Sequence, residues 1–343
     1  MFDAVGRLST PNWKLRAAGI ALFLTILVGL VWILRVTQMP LRSYRGPLAP
    51  PSHEQADLEN RLSAHVRYLS ESIGERNLPR AGSLRAAEDY LRRNLQEDGY
   101  TVTEQKYAVD GQTATNLEVR IDGGDSGSGA IVVGAHYDSV VGAPGANDNA
   151  SGVAAVLELA RLMHGVQTRR SIRFVLFVNE EPPYFQTNAM GSLVYAKQLH
   201  HDRIPVVAMI SLETIGYYSD KPGSQRYPPV LSFFYPSRGD FIGFVGNTNS
   251  RDLVRRAIRK FRETARFPSE GIAAPPDWPG IAWSDQWSFW QQDYPAIMIT
   301  DTAFFRYPYY HTPRDTASEV DFARMARVVD GVRSVVESLA TAQ

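Results

Sequence analysis

The sequence contains no cysteine among its 343 residues. This absence excludes disulfide bonds, thiolate zinc sites and a cysteine nucleophile, so any bound metal must be held by imidazole and carboxylate groups. The chain also lacks a net charge, because 36 Lys and Arg residues balance 36 Asp and Glu residues. Because a protein without net charge has no overall electrostatic field that attracts a polyanion, we do not expect nucleic acid as a partner.

The chain does contain enough apolar residues for a globular core. Hydrophobic residues make up 44% of the sequence and aromatic residues 11%, a composition that excludes a disordered protein. The length permits one large domain or two small ones. Since no internal repeat is visible, we expect a single folded domain at 53–343.

An uncharged run at 17–34 precedes this domain. At about 1.5 Å per residue it is just long enough to cross a bilayer core of about 30 Å. No convincing small-residue cleavage motif follows it, so we expect an uncleaved transmembrane anchor at 17–36 after an N-terminal tail at 1–16, rather than a cleaved signal peptide. Residues 37–52 are rich in Pro, Gly and Arg and are expected to form a linker.

The charges beside the apolar run do not decide its orientation. Three basic residues stand on each side, namely Arg7, Lys14 and Arg16 before it and Arg35, Arg42 and Arg45 after it. We expect the large domain to lie in the periplasm or outside the cell, because a single N-terminal span before one soluble domain acts most simply as a signal anchor. The lipid bilayer would then be a partner of 17–34.

Within the folded domain, strand-like and helix-like runs alternate. After two segments with helical spacing at 58–73 and 84–95, the strand-like runs are 130–135, 172–178, 206–212, 230–235 and 296–300, and the helix-like runs are 152–163, 191–199 and 322–339. This alternation predicts an α/β fold with a mixed, largely parallel central sheet flanked by helices.

Polar residues follow the ends of several of these strands. His136 and Asp138 follow the first strand, Glu180 and Glu181 the second, Glu213 the third, and His311 comes after the last. Any one carboxylate after a strand is most simply a solvated loop residue or a helix cap. Four groups at the carboxyl edge of one sheet instead indicate a functional site, because loops from neighbouring strands converge there.

Two histidines and several carboxylates suit a pair of zinc ions, which need a carboxylate that bridges them. Asp148 is the predicted bridge, since the small residues of Gly-Ala-Asn-Asp-Asn-Ala-Ser-Gly at 145–152 let the backbone approach the metals closely. We expect one ion to be held by His136, Asp148 and Glu213. Asp148, Glu181 and His311 would hold the other.

Two further carboxylates have expected catalytic roles. Asp138 lies two residues after His136 and is expected to orient that imidazole. Glu180 stands next to a predicted ligand, which is the position of a general base that takes a proton from water.

Together, these motifs resemble those of a known family. His136-x-Asp138, the 145–152 segment, Asn-Glu-Glu at 179–181 and Tyr-His-Thr at 310–312 are similar to the di-zinc aminopeptidases. That family includes bacterial leucyl aminopeptidases, glutamate carboxypeptidase ectodomains and, as a divergent branch, glutaminyl cyclases. The resemblance covers the chain from about residue 58 to the C-terminus.

The resemblance implies a zinc-dependent exopeptidase that removes N-terminal residues from peptides with a free N-terminus. It assigns the same five residues as ligands and Glu180 as the base, and it implies a cis peptide bond just after Asp148. Glu213 departs from the pattern, where Asp is more usual, so the second ion could be a divalent metal other than zinc. The Tyr that often precedes a Ser-Asp pair is also missing before Ser284, which leaves Tyr309 and Tyr310 as candidate oxyanion donors.

Aromatic residues crowd the loops expected around the site. Those predicted to line a pocket for the substrate's first side chain are Tyr184, Phe185, Tyr217, Phe304, Tyr309 and Tyr310. Loop packing is the alternative explanation for each of them. Asp315 and Thr316 are expected to form a turn or to cap the last helix, and the basic run at 251–262 is expected to be a solvated helix face.

Two other functions compete with the hydrolase. A glutaminyl cyclase-like acyltransferase would use one zinc, held by Asp148, Glu181 and His311, and would leave His136 and Glu213 without a role. A non-catalytic ectodomain of the same fold is the other alternative, since fold does not determine function. The intact set of ligands with its base favours the hydrolase.

Overall fold

The computed structural model describes residues 13–125 and 127–342. Residues 1–12 of the predicted N-terminal tail therefore lie outside the described part of the chain. The described chain forms two units that are divided after Gln38. The first contains helix α1 (Trp13–Thr37), which includes the predicted anchor. By length and composition α1 could cross a membrane, as a membrane anchor or a signal sequence would.

The second unit is an α/β domain. Among the described residues its strands are β1 (Thr103–Val109), β2 (Gln112–Ile121), β3 (Ala130–His136), β4 (Ser171–Phe177), β5 (Val206–Glu213), β6 (Ile242–Asn247), β7 (Ser269–Ala274) and β8 (Ala296–Thr300). Its helices are α2 (His53–Arg67), α3 (Ala81–Glu97), α4 (Gly152–Met163), α5 (Gly191–His201), α6 (Arg251–Thr264), α7 (Gln286–Trp290), α8 (Ala303–Arg306) and α9 (Phe322–Thr341).

All eight strands form one sheet in the order β1-β2-β4-β3-β5-β8-β6-β7. The four central strands, β4, β3, β5 and β8, are parallel, whereas β1, β2 and β4 pair antiparallel and β6 is antiparallel to β8. Every residue of β3 is buried, as expected for a central strand that is covered on both faces. The predicted mixed, largely parallel sheet is therefore confirmed.

Helices cover both faces of the sheet, and neighbouring residues of β3 show the division. Val133 belongs to the hydrophobic cluster formed with α2, α4, α6 and α9. Val132 points the other way and packs in a second cluster with α5 and α7, because successive side chains of a strand face opposite sides. The central strands are thus held rigidly between two layers of helices.

The sequence patterns missed part of the sheet and misplaced one strand. Strand β1 is half exposed, and β6 and β7 contain glycine, so the apolar signal of each is weak. The predicted strand at 230–235 is wrong, because this segment contains a 3-10 turn at Leu231–Phe233. Val230 has a positive φ of 78°, and prolines flank the turn, so the segment cannot join a sheet as a regular strand.

The segment predicted as a linker also differs from a free spacer. Residues 39–51 form no helix or strand. Met39 and Leu48 nevertheless pack against the hydrophobic core of the domain. This segment is part of the second unit, which begins at residue 39.

Candidate metal centre

The sheet brings the predicted ligands together at its carboxyl edge. His136 is the last residue of β3, Glu213 is the last residue of β5, and Glu181 follows β4. Asp148 lies in the irregular turn at Ala146–Ser151 that leads into α4, and His311 comes from the segment after β8. All of these side chains are buried except that of His311, which is partly exposed.

Asp148 stands between the two imidazoles. Its Oδ1 is 3.5 Å from His136 Nε2, and its Oδ2 is 3.1 Å from His311 Nε2. Glu213 completes one side, with Oε2 3.1 Å from His136 Nε2. Glu181 completes the other, with Oε2 3.2 Å from His311 Nε2. The two groups that share Asp148 are the two ligand sets expected from the sequence.

The chemistry of this cluster fits divalent cations. Ligand atoms of His136, Glu180 and Glu213 lie within 4.8 Å of one another, as do those of His136, Asp148 and Glu181. Among the described residues, the buried Nε2 of His136 makes no hydrogen bond, although oxygens of Glu213, Asp148 and Glu180 lie 3.1–3.8 Å from it. Imidazole nitrogens and carboxylate oxygens are common zinc ligands, and a buried polar atom without a partner is unfavourable unless something binds it.

The electrostatics of the cluster lead to the same conclusion. Burial raises the pKa of Glu180 well above its usual range, and it raises the pKa of Glu181 to about 7. Although burial opposes a charge on His136, the carboxylates of Glu213 and Glu180 raise its pKa. Several buried carboxylates that repel one another are stabilised by nearby positive charge. Bound cations would supply that charge.

Asp138 connects His136 with the segment that carries the predicted base. Its carboxylate accepts hydrogen bonds from the backbone N–H groups of Glu180 and Glu181, both at 3.2 Å. The same carboxylate lies 3.6 Å from His136 Nδ1, and the backbone carbonyl of Asp138 lies 3.2 Å from that nitrogen. Asp138 therefore fixes the relative positions of β3 and the turn after β4.

Glu213 is held by residues that the sequence did not single out for this role. Ser284 Oγ donates to Glu213 Oε2 at 2.8 Å, and Asn149 Nδ2 donates to the same oxygen at 3.3 Å. Asn149 also donates to the carbonyl of Leu212 at 2.8 Å. Ser284 belongs to the Ser-Asp pair noted in the family pattern, which was the available signal for it.

Of the two roles expected of Asp315, a turn or a cap of the last helix, the structure shows the turn, because its backbone N–H donates to the carbonyl of Thr312 at 3.1 Å. Its carboxylate is buried and accepts from the backbone N–H groups of Asn147 and Asp148, at 2.8 Å and 3.0 Å. Tyr307 also donates its hydroxyl to Asp315 at 2.8 Å. The cap of α9 is instead Asp321, which accepts from the backbone N–H of Arg324. Asp315 therefore supports the backbone at Asp148.

A second unpredicted support is Arg76, whose side chain is fully buried. It donates to the carbonyls of Tyr137 and Gly145, both at 2.7 Å. These carbonyls lie at the two ends of the loop between His136 and the Asp148 turn. The peptide bond between Asp148 and Asn149 is cis, as the family resemblance implied.

A cavity of about 110 Å³ opens beside Glu213. Of the six aromatic residues predicted to form a pocket, Phe304 and Tyr310 line it. Phe305, beside Phe304, also lines it, but most of its wall comes from segments that the sequence did not suggest, including Tyr227, Leu231, Tyr235, Phe241, Phe244, Ile272, Ile281 and Trp283.

The other four predicted aromatic residues are not among those that line this cavity. Tyr184 lines a separate cavity and donates its hydroxyl to Asp110 at 2.8 Å. Tyr217 packs against Tyr307, with ring centroids 4.8 Å apart. Phe185 is partly buried in the loop after β4. The hydroxyl of Tyr309 accepts a hydrogen bond from Arg314.

Known proteins resemble the chain over most of its length. It is 39% identical over 311 residues to the uncharacterized protein YfbL of Escherichia coli (strain K12), which covers 88% of this chain and 95% of that protein. It is also 39% identical over 252 residues to aminopeptidase YwaD of Bacillus subtilis (strain 168), covering 70% of this chain but only 49% of that protein.

Solved structures share the fold. A zinc aminopeptidase from Bacillus subtilis, BSAP, superimposes with a TM-score of 0.67 at 15% identity, covering 83% of this chain and 95% of that one. A glutaminyl cyclase from Porphyromonas gingivalis superimposes with a TM-score of 0.61 at 19% identity, covering 82% and 99%. Residues 116–336, well over half of the chain, match the sequence profile of peptidase family M28. The chain belongs to peptidase family M28, which confirms the resemblance seen in its motifs.

Proposed function

We propose that this protein is a zinc-dependent aminopeptidase, which hydrolyses the first peptide bond of peptides with a free N-terminus. The observation that carries the proposal is the position of Asp148, whose two oxygens face His136 and His311 separately. Such a carboxylate is suited to bridge two cations. Relatives that are named aminopeptidases support the same activity.

The distances between these side chains support two ligand sets. His136, Asp148 and Glu213 would hold one ion, and Asp148, Glu181 and His311 would hold the other. When bound, zinc ions polarise the scissile carbonyl and lower the pKa of a bound water. Glu213 in place of the more usual Asp allows a second metal other than zinc.

Glu180 is the proposed general base, because it touches the site without belonging to either ligand set. Its Oε2 lies 3.8 Å from His136 Nε2, and burial raises the pKa of its carboxyl group. A carboxylate with a raised pKa accepts a proton from the attacking water more readily and can return it to the leaving amine. Asp138 would act by holding His136 and the backbone of Glu180 in place.

Tyr310 is the proposed oxyanion donor. It lines the cavity beside Glu213 and stacks on His311, with ring centroids 3.9 Å apart and an interplanar angle of 18°. Burial keeps its pKa well above the usual range, so the hydroxyl remains protonated and can donate to a developing negative charge.

The one-zinc acyltransferase has less support from this site. The glutaminyl cyclase structure shares the fold, so the fold does not separate the two activities. His136 and Glu213 do separate them, because these two side chains approach to 3.1 Å in the buried cluster. A one-zinc enzyme that uses only Asp148, Glu181 and His311 would leave them without a metal ion to bind. A non-catalytic role would leave the whole cluster unexplained.

An assay on the full chain in detergent tests the proposal. The substrates are aminoacyl anilides and a peptide with N-terminal Gln, each measured before chelation, after chelation and after zinc is restored. We expect hydrolysis of anilides that is lost on chelation and recovered with zinc. Cyclisation of the Gln peptide without hydrolysis would instead establish the acyltransferase, and inactivity on all substrates would reject both enzymes.

We also propose that residues 17–34 anchor the protein in a lipid bilayer, with the peptidase domain in the periplasm or outside the cell. The support is the long, apolar helix α1, most of whose side chains are exposed. Extraction of cell membranes with alkaline carbonate should leave the protein in the pellet, and externally added protease should degrade its domain. Release into the supernatant would show that α1 is not an anchor.

A further inference from the structure

The segment 39–49, here called the strap, is fixed to the peptidase domain along the edge strand β7. The side chain of Met39 lies against this strand at Gly271. It is so close that a Cβ atom at this position would lie 2.9 Å from Met39 Cγ. At its other end, the carbonyl of Ala49 accepts a hydrogen bond from Arg327 of α9. The strap is therefore held at both ends.

One buried guanidinium joins the strap to β7. Contrary to the solvated helix face expected for the whole run 251–262, the side chain of Arg262 is only 4% exposed. Its Nη1 donates to the carbonyls of Pro40 and Leu41, both at 3.0 Å, and its Nε donates to Ser269 Oγ at 3.1 Å. A buried cation needs such partners, so loss of the strap would leave Arg262 with unsatisfied donors.

The strap also binds the backbone of β7 directly. The N–H of Ser269 donates to Ser43 Oγ at 2.9 Å. Because β7 is the last strand of the sheet, its outer edge would otherwise have no neighbour. The strap thus supplies contacts that a further strand would normally supply.

This supported strand is a wall of the cavity at the metal centre. Glu270, Gly271 and Ile272 of β7 line the cavity, and so does Glu213. One register row links the two ends, since Glu213 pairs with Thr300, Thr300 pairs with Gly243, and Gly243 pairs with Glu270. All four of these residues line the cavity.

We infer that the strap is a specificity element of the peptidase. By holding β7 in place it sets the width of the cavity that receives the first side chain of the substrate. Met39 and Arg262 are positioning residues in this account, because they act through the strand and do not touch the substrate. The inference rests on the proposed aminopeptidase function.

The test compares two neighbouring strap residues in the full chain. Met39→Ala removes the contact with β7, whereas Leu41→Ala removes an apolar side chain that is 54% exposed. We expect Met39→Ala to raise KM for a phenylalanyl anilide by about tenfold, the effect of one poorly fitted apolar group, with kcat little changed. An alanyl anilide should be affected much less, and Leu41→Ala should match wild type on both substrates.

A second variant addresses the guanidinium. Arg262→Gln removes the guanidinium that donates to the carbonyls of Pro40 and Leu41, and Arg259→Gln on the exposed face of α6 is the control. Arg262→Gln should show the same loss of selectivity for the large first residue. Equal losses on both substrates in Met39→Ala and in Arg262→Gln would overturn the inference, because they would indicate general destabilisation.

Hydrogen exchange gives a readout that does not depend on activity. The amide of Ser269 should exchange at least tenfold faster in Met39→Ala than in Leu41→Ala, and unchanged exchange would overturn the inference. A wild-type protein that is inactive on every anilide would reject the proposed function, whereas an active wild type with unaltered selectivity in Met39→Ala would reject only the role of the strap.

Discussion

Asp148 lies between His136 and His311 in the candidate metal centre, and its neighbours show why its position is well defined. Asp315 accepts from its backbone N–H, and Arg76 holds the loop that precedes its turn. Neither role was visible in the sequence, because Asp315 lies far along the chain from Asp148 and a single Arg has no local motif. The proposed ligands themselves were predictable because they lie beside apolar strands and in recognisable motifs.

The variant Tyr310→Phe tests the proposed oxyanion donor. Removing the hydroxyl should lower kcat by about 100-fold, the usual effect of losing one such donor, while KM for a small first residue changes little. Tyr309→Phe is the matched control, since the Tyr309 hydroxyl is engaged by Arg314. A similar loss of kcat in both variants would show that the aromatic segment matters only for packing.

Asp301 gives a prediction about stability and pH. It is fully buried, it accepts from Asn147 and from the backbone N–H of Tyr217, and burial raises its pKa to about 7. Since the pKa of an unfolded Asp is about 3.9, its contribution to stability is fully present below about pH 4 and is lost as the pH rises through 7. Thermal unfolding of Asp301→Asn should therefore show a smaller decline in Tm between pH 5 and pH 8 than wild type. An identical decline would contradict the raised pKa.

Among the elements, the loop from β3 to α4 depends on Arg76 for its shape. Arg76→Lys keeps the charge but cannot reach the carbonyls of Tyr137 and Gly145 together. We expect a loss of about 2–4 kcal/mol in the free energy of unfolding, because buried carbonyls lose their donors. Denaturant unfolding measures this loss, and Arg80→Lys at an exposed position is the control. Equal stabilities of the two variants would show that Arg76 is dispensable.

The elements also show where sequence patterns succeed. The central strands β3, β4, β5 and β8 were predicted because strands covered on both faces read as continuous apolar runs. The outer strands β1, β2, β6 and β7 were not predicted, since half-exposed residues and glycines interrupt their patterns. Much of the cavity wall was therefore missed as well, because β6, β7 and the turn at Leu231–Phe233 form it.

For the whole molecule, the metal centre should contribute to the stability of the fold. The proposed ligands come from the ends of two strands and from three loop segments, so bound cations would link segments that are distant in sequence. Chelation should lower the Tm, and zinc should restore it, because ligand at about 100 times its Kd stabilises the folded state by about 2.7 kcal/mol. Differential scanning calorimetry of the full chain measures the shift. No change in Tm on chelation would contradict a metal site built from these residues.

In the proposed mechanism Glu180 is the general base, whereas its neighbour Glu181 holds a metal. These two roles are separated by measuring the kcat and the metal content of Glu180→Gln and of Glu181→Gln. We expect Glu180→Gln to lose about 100-fold to 10,000-fold in kcat, as for the loss of a general base, and to keep its metal. Glu181→Gln should lose both metal and activity. A Glu180→Gln enzyme that is active, or that has lost its metal, would show that Glu180 is not the base.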